Sequence, residues 1–224
     1  MTAQHLARGP RTRGSRVRAF GAVIGVLLMA VGVVTVVAYT THPAVSSTAS
    51  VARDMNGNLV QPDVQPVSAG EAAVAEPADG LQLQVPSVGL DVPLGSLVSV
   101  DGEITPPGFT SAYWVRDLGV SPDQSEAGTL YVVTHSLRDG GKGPGNFLID
   151  VPNGRSAVAA GATITVGDDS YTVTQNQVVT KTDLATNTDV WTDTPGRLVL
   201  ITCLQHADKS PSTDNLVITA QLTR

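Results

Sequence analysis

The chain holds one cysteine among 224 residues, Cys203. That excludes a disulfide framework within the chain and a thiolate zinc cage, because both need several thiols. Aromatic residues are equally sparse, with two Trp, four Tyr and three Phe, so a core here is built from Val, Leu, Ile and Ala. Basic residues are too few to coat a nucleic acid: the net charge is −6, and neutralising phosphates needs clustered Lys and Arg. There is no internal repeat and no long amphipathic helical pattern. Asp139 to Gly145 is glycine-rich but lacks the strand–loop–helix setting of a phosphate loop. What remains is 42% hydrophobic residues, enough for a folded core.

Acidic residues are absent until Asp54, while Arg8, Arg11, Arg13, Arg16 and Arg18 crowd the start. The net charge therefore divides into a head (1–18) of +5 and a remainder of −11. Between them, residues 19–39 carry no charge and are almost entirely apolar, and about 20 such residues cross the hydrocarbon layer as a helix. Arginines ahead of the span stay in the cytoplasm, which puts everything after Tyr39 outside the cell. A cleavable signal peptide has an apolar region of only about 7–15 residues, so residues 19–39 read as a retained single-pass anchor. Residues 40–80 are rich in Ala, Val, Ser, Thr and Pro with scattered acids, the composition of a flexible extracellular spacer. The alternative there is a few extra strands within Leu59 to Val67.

The domain expected over 81–224 is all-β. Apolar or alternating runs at Leu81–Val85, Asp91–Leu94, Thr129–Thr134, Ala162–Val166, Tyr171–Val179, Leu198–Thr202 and Leu216–Leu222 are separated by Gly, Asp, Asn and Pro turn signals. Residues 163–173 have the pattern of a tight hairpin. Gly145–Ile149 and Ala185–Val190 are long enough only for helical turns. Many short strands with regular turns point to a closed barrel or a sandwich.

Two of these strands deliver reactive side chains. The run 128–134 ends at His135, and the run 197–202 ends at Cys203. A strand is a rigid mount and its end is open to solvent. A thiolate is the side chain best suited to attack a carbonyl near neutral pH, and an imidazole beside it takes or returns the proton. The pair lies 68 residues apart, so only the fold can join them. The bland alternative is a small buried thiol and an unrelated histidine.

These residues resemble the sortases, membrane-anchored cysteine transpeptidases of Gram-positive bacteria. Leu198-Val-Leu-Ile-Thr-Cys203 is similar to the family's strand ending in Thr-Cys, and Val132-Val-Thr-His135 to its strand ending in histidine. Leu83-Gln-Val-Pro-Ser-Val-Gly-Leu-Asp-Val-Pro93 resembles a pattern of actinobacterial members of the E or F classes. Asp214-Asn215-Leu-Val-Ile-Thr-Ala220 resembles the last strand, and Gly143-Pro-Gly-Asn-Phe147 the region after the histidine. The resemblance implies a closed sortase barrel of about eight strands with short helical turns, preceded by one transmembrane helix. It implies that Cys203 attacks a sorting signal of the Leu-Pro-x-Thr-Gly type and forms an acyl-thioester. His135 protonates the leaving amine, and a cell-wall precursor or protein amine then takes the acyl group. No metal or organic cofactor is implied.

One residue departs from the family pattern. The arginine that members carry after the cysteine, supporting the oxyanion or the substrate, is replaced by Thr213 before Asp214-Asn215. Thr213 or Asn215 are candidates to donate a neutral hydrogen bond there, and Arg138, Lys209 or Arg197 to bring charge from elsewhere. Arg197 ranks last, since six strand residues put its Cα about 20 Å from Cys203. Cys203-Leu-Gln-His206 has too few partners for a structural zinc site. His206 is expected at the mouth of the cleft or in solvent, and is otherwise a rival proton partner. Two further readings fit the residues: a sortase fold with weak, hydrolytic or no transferase activity, and a non-enzymatic surface β-domain.

Overall fold

Ten strands organise the protein in a computed structural model that describes residues 52–60, 75–76 and 78–223. They are β1 (Gln82–Val85), β2 (Leu90–Leu97), β3 (Ala112–Gly119), β4 (Thr129–Thr134), β5 (Ile149–Asp150), β6 (Arg155–Ser156), β7 (Thr163–Val166), β8 (Asp169–Thr180), β9 (Arg197–Leu204) and β10 (Asp214–Thr223). Eight close into a barrel in the order β1-β2-β3-β4-β9-β10-β8-β7, and β5 and β6 form a separate ribbon. The only helices of the α type among the described residues are single turns, α1 (Lys181–Leu184) and α2 (Thr188–Trp191). The all-β barrel expected from the sequence is therefore the fold. The expected head (1–18) and membrane anchor (19–39) lie outside the described residues. Among the described residues no helix is long and apolar enough to cross a membrane.

Alternation along the central strands sorts the side chains onto two faces. Leu130 and Val132 of β4, Leu198 and Leu200 of β9, and Leu216 and Ile218 of β10 fill the barrel interior with Leu83, Val92 and Tyr171. Burying one such aliphatic side chain stabilises the fold by about 1.5–3 kcal/mol. Tyr131 and Val133, Val199 and Ile201, and Val217 face outward, where a second cluster adds Tyr113, Val115 and Val190. Both faces of these strands are covered, which is why they read as continuous apolar runs rather than as alternating ones.

Two pairings join strands in parallel, β2 with β3 and β4 with β9. The hairpin read from residues 163–173 is present, with Val166 opposite Asp169 and Gly167 in the left-handed region at φ 57°. Strand β3 was not among the expected strands. Only Ala112–Val115 of it pairs with β2, and the second half, alternately half-buried and exposed, carries Arg116, Asp117 and Gly119, which break the strand pattern.

The folded body also starts before Leu81. Within the expected 40–80 spacer, residues 52–60 turn back on themselves through an Arg53–Leu59 bridge. The Met55 amide donates to the Lys142 carbonyl at 2.8 Å, and the Met55 side chain packs on the main core. Glu76 bridges to Ser96 and pairs with Arg116 at 2.5 Å.

Candidate active site

The positions of His135 and Cys203 follow from register. Strands β4 and β9 run parallel with Thr134 opposite Thr202, so the next residue on each is His135 and Cys203. Neighbouring strands lie about 4.8 Å apart. Both side chains have the parity of Val133 and Ile201, on the outer face. On the other side of β9, Cys203 pairs with Asn215 of β10. A rim row His135–Cys203–Asn215 thus sits one pleat beyond the buried row Val133–Ile201–Val217.

The row forms the floor of a groove of about 1060 Å³. One wall is the connection from β2 to β3, with Ile104, Pro106 and Phe109, and another is the α1–α2 region, with Leu184 and Trp191. Leu59 and Val60 of the 52–60 hairpin and the loop 137–141 complete it. Trp191 is seated by its indole N–H, which donates to the Leu184 carbonyl at 2.5 Å, and by its contact with the Tyr131 ring.

His135 is half-buried. Its Nε2 lies 2.9 Å from the Pro106 carbonyl oxygen, and the Phe109 ring packs on the imidazole at 4.8 Å between centroids. Burial pushes its pKa below the ordinary 6.5, with the Pro106 hydrogen bond opposing. Cys203 is half-buried and free of any disulfide.

The backbone around both residues is held by groups that sequence reading missed. Ser136 Oγ donates to the Cys203 carbonyl at 2.6 Å, and Gln205 Nε2 donates to Ser136 Oγ at 2.9 Å and to its carbonyl at 3.2 Å. These bonds tie the residue after His135 to the residues on either side of Leu204. Asn146 clamps the following loop: its Oδ1 accepts from Leu137 and Gly143 amides, both at 2.8 Å, and its Nδ2 donates to the Leu137 carbonyl at 2.7 Å. The Gly145 amide donates to the His135 carbonyl at 2.8 Å. The only signal for this in the sequence was the Gly143-Pro-Gly-Asn-Phe147 segment, whose Asn146 had no assigned part.

A model of the Sortase domain matches residues 83–223, well over half of the chain. The chain belongs to the sortase family. No curated protein matches this sortase at a significant level. Among solved structures it is similar to sortase A of Listeria monocytogenes, at 22% identity and a TM-score of 0.45, covering 64% of this chain and 86% of that one. It is also similar to a lid mutant of sortase A of Corynebacterium diphtheriae, at 13% identity and 0.49, covering 74% and 83%. A third is Streptococcus agalactiae sortase C1 in complex with MTSET, at 12% identity and 0.46, covering 64% and 67%.

In this sortase the groove brings together Cys203, His135, Asn215 and Arg138, but not Thr213. Thr213 is exposed and its hydroxyl donates to Asp214 Oδ2 at 2.8 Å. His206 also lies off the groove, 3.4 Å from the Thr213 hydroxyl and 3.9 Å from Asp214 Oδ2. Arg138 pairs with Asp139 at 3.5 Å, and Lys209 reaches the same carboxylate at 3.9 Å. Lys181, at the start of α1, is a groove-lining cation that the sequence did not single out. Arg197 sits at the far end of β9, where it donates to Thr129 Oγ1 and to the carbonyls of Asp189, Val190 and Thr192. It fastens α2 to the barrel. No group of three or more His, Cys, Asp or Glu that could hold a metal occurs among the described residues.

Proposed function

We propose that this sortase is a membrane-anchored cysteine transpeptidase whose nucleophile is Cys203 and whose proton donor and acceptor is His135. The observation that carries this is the shared rim: the two side chains follow a register pair of adjacent parallel strands, on one face, inside a groove. The groove is large enough for several residues of an extended peptide. Its substrates are sorting signals of the Leu-Pro-x-Thr-Gly type on exported proteins.

Cys203 Sγ attacks the scissile threonine carbonyl and the C–N bond breaks. The leaving amine takes a proton from His135, and a thioester remains on Cys203. An amine of a peptidoglycan precursor or of another protein then attacks the thioester, giving an amide and returning the proton to the thiolate through His135. Asn215, Arg138 and Lys181 are the groove residues available to support the oxyanion. The catalytic domain works outside the cell, held to the membrane by residues 19–39.

A second reading rests on Thr213 standing where related sequences have arginine: a sortase in which water, rather than an amine, resolves the thioester. Incubating the protein with a sorting peptide and an amine, and reading the masses, separates the two. Transfer product together with an acyl adduct on Cys203 is the expected result. Cys203→Ala and His135→Ala are each expected to lower turnover at least ~10³-fold. Cleavage by Cys203→Ala at the parent rate would sink the assignment.

A further inference from the structure

This inference rests on the reading of His135 as the proton carrier for Cys203, and it concerns which ring nitrogen carries the proton. Nε2 of His135 lies 2.9 Å from the Pro106 carbonyl oxygen. A carbonyl oxygen accepts hydrogen bonds and never donates them, so the nitrogen facing it bears the hydrogen. This holds for the neutral ring and for the cation, in which both nitrogens are protonated. Nδ1 is then the only nitrogen that gains and loses a proton. The Phe109 ring lies against the imidazole with 4.8 Å between centroids and 37° between planes, so a ring flip has to displace it. Pro106 is itself buried. Both contacts come from the β2–β3 connection rather than from β4, the strand that carries His135.

We propose that the β2–β3 connection is a tautomer lock. The Pro106 carbonyl keeps one proton on Nε2, Phe109 keeps the ring from turning, and Nδ1 is the atom that exchanges protons with Cys203 and the amines. The balance is complete at each step. The thiol proton moves to Nδ1 as sulfur attacks, and the same proton passes to the leaving nitrogen as the C–N bond breaks. In the second half, Nδ1 takes a proton from the incoming amine and returns it to the departing sulfur. The Nε2 proton never leaves. Pro106 and Phe109 act on the proton only through His135 in this scheme and are positioning residues. The wrong tautomer offers a protonated nitrogen where a base is needed. The charged groups lining the same groove are Asp54, Glu103, Arg138, Asp139 and Lys181.

The test uses the full chain in detergent micelles, labelled with 15N-histidine. There are four histidines in all, and the His135 signals are the ones lost in His135→Gln. Long-range 1H–15N correlation distinguishes the two neutral tautomers. The expected result is a neutral His135 with hydrogen on Nε2 and a bare Nδ1. Hydrogen on Nδ1 overturns the proposal. Phe109→Ala is expected to give a mixture of tautomers and a roughly tenfold lower kcat for peptide cleavage, a larger loss than any change in KM from the altered groove wall. Phe109→Leu, which keeps an apolar cover, should fall between. A folded Phe109→Ala protein with unchanged tautomer and unchanged kcat also overturns it. The tautomer is read without turnover. A parent protein with the Nε2 hydrogen that cleaves no sorting peptide therefore supports the lock and counts against the transpeptidase reading.

Discussion

Gly145 illustrates how closely single residues are fitted around His135 and Cys203. A Cβ there would lie against the Thr202 hydroxyl and 2.9 Å from the His135 carbonyl oxygen, and one at Gly143 would lie 2.6 Å from that same oxygen. Backbone atoms at such distances have to move. Gly145→Ala is therefore expected to shift the His135 carbonyl, lower stability by about 1–3 kcal/mol in a urea titration and reduce peptide cleavage at least tenfold. A variant with parent stability and rate would show that the loop gives way at no cost. At His135 the consequence is one of pH. Because burial holds its pKa below 6.5, the folded state favours the neutral ring. Stability from this group is present above the unfolded value and is lost as pH falls through the lower folded value. The acidic limb of kcat/KM should accordingly lie below pH 6.5, and an acidic limb above that value would contradict the burial argument.

At the scale of elements, the hairpin 52–60 is a wall of the groove that is pinned by one carboxylate. Asp54 is 2% exposed. It accepts from the Asn56 amide at 2.9 Å, the Asn58 amide at 2.8 Å and the Lys142 amide at 3.1 Å. Burial raises its pKa, but these bonds and the Asn58 side chain together hold it below the ordinary 3.8. The ionised form therefore secures the hairpin at neutral pH, and that contribution disappears only as pH drops from 3.8 through the lower folded value. Asp54→Ala should free residues 52–60 and the Lys142 amide to exchange hydrogen rapidly at neutral pH and raise KM for peptide. Unchanged exchange would mean that Met55 alone holds the hairpin. At another wall, Arg197 fastens α2, and through it Trp191, to the barrel. Arg197, ranked last among the cations that could stand in for the family's arginine, is thus part of the scaffold.

At the scale of the molecule, the barrel is unevenly braced. β9 lies between β4 and β10 with long registers on both sides, and its residues Leu198 to Leu200 are fully buried. The closing seam between β1 and β7 has only two residue pairs, Leu83–Val166 and Gln84–Thr165. Local opening starts where buried contacts and paired backbone are fewest. Hydrogen exchange read by mass spectrometry should thus find the seam amides first and β9 last. Equal protection around the barrel would mean that it opens only as a whole. The candidate site is mounted on this gradient, because Cys203 lies on β9, which is paired along its length on both sides.

The sequence determined the elements wherever local pattern suffices. Continuous apolar runs specified β4 and β9, alternation with Gly167 specified the β7–β8 hairpin, and the ends of two buried strands singled out His135 and Cys203. β3 stayed hidden because Arg116, Asp117 and Gly119 interrupt its pattern beyond Val115, where its pairing with β2 ends. Tertiary structure alone decided the rest, because each of these contacts is made across a long stretch of chain that local pattern does not encode. The parallel pairing of β4 with β9 brings residues 68 positions apart into one row. Ser136 and Gln205 meet across 69 positions, and Pro106 reaches His135 across 29. Composition alone made residues 40–80 look like a spacer, yet Met55 and Asp54 find partners on the finished barrel and fold part of that segment against it. The departure at Thr213 was visible in the sequence, but which cations face the groove, Arg138 and Lys181, depended on where the segments following β4 and β8 converge.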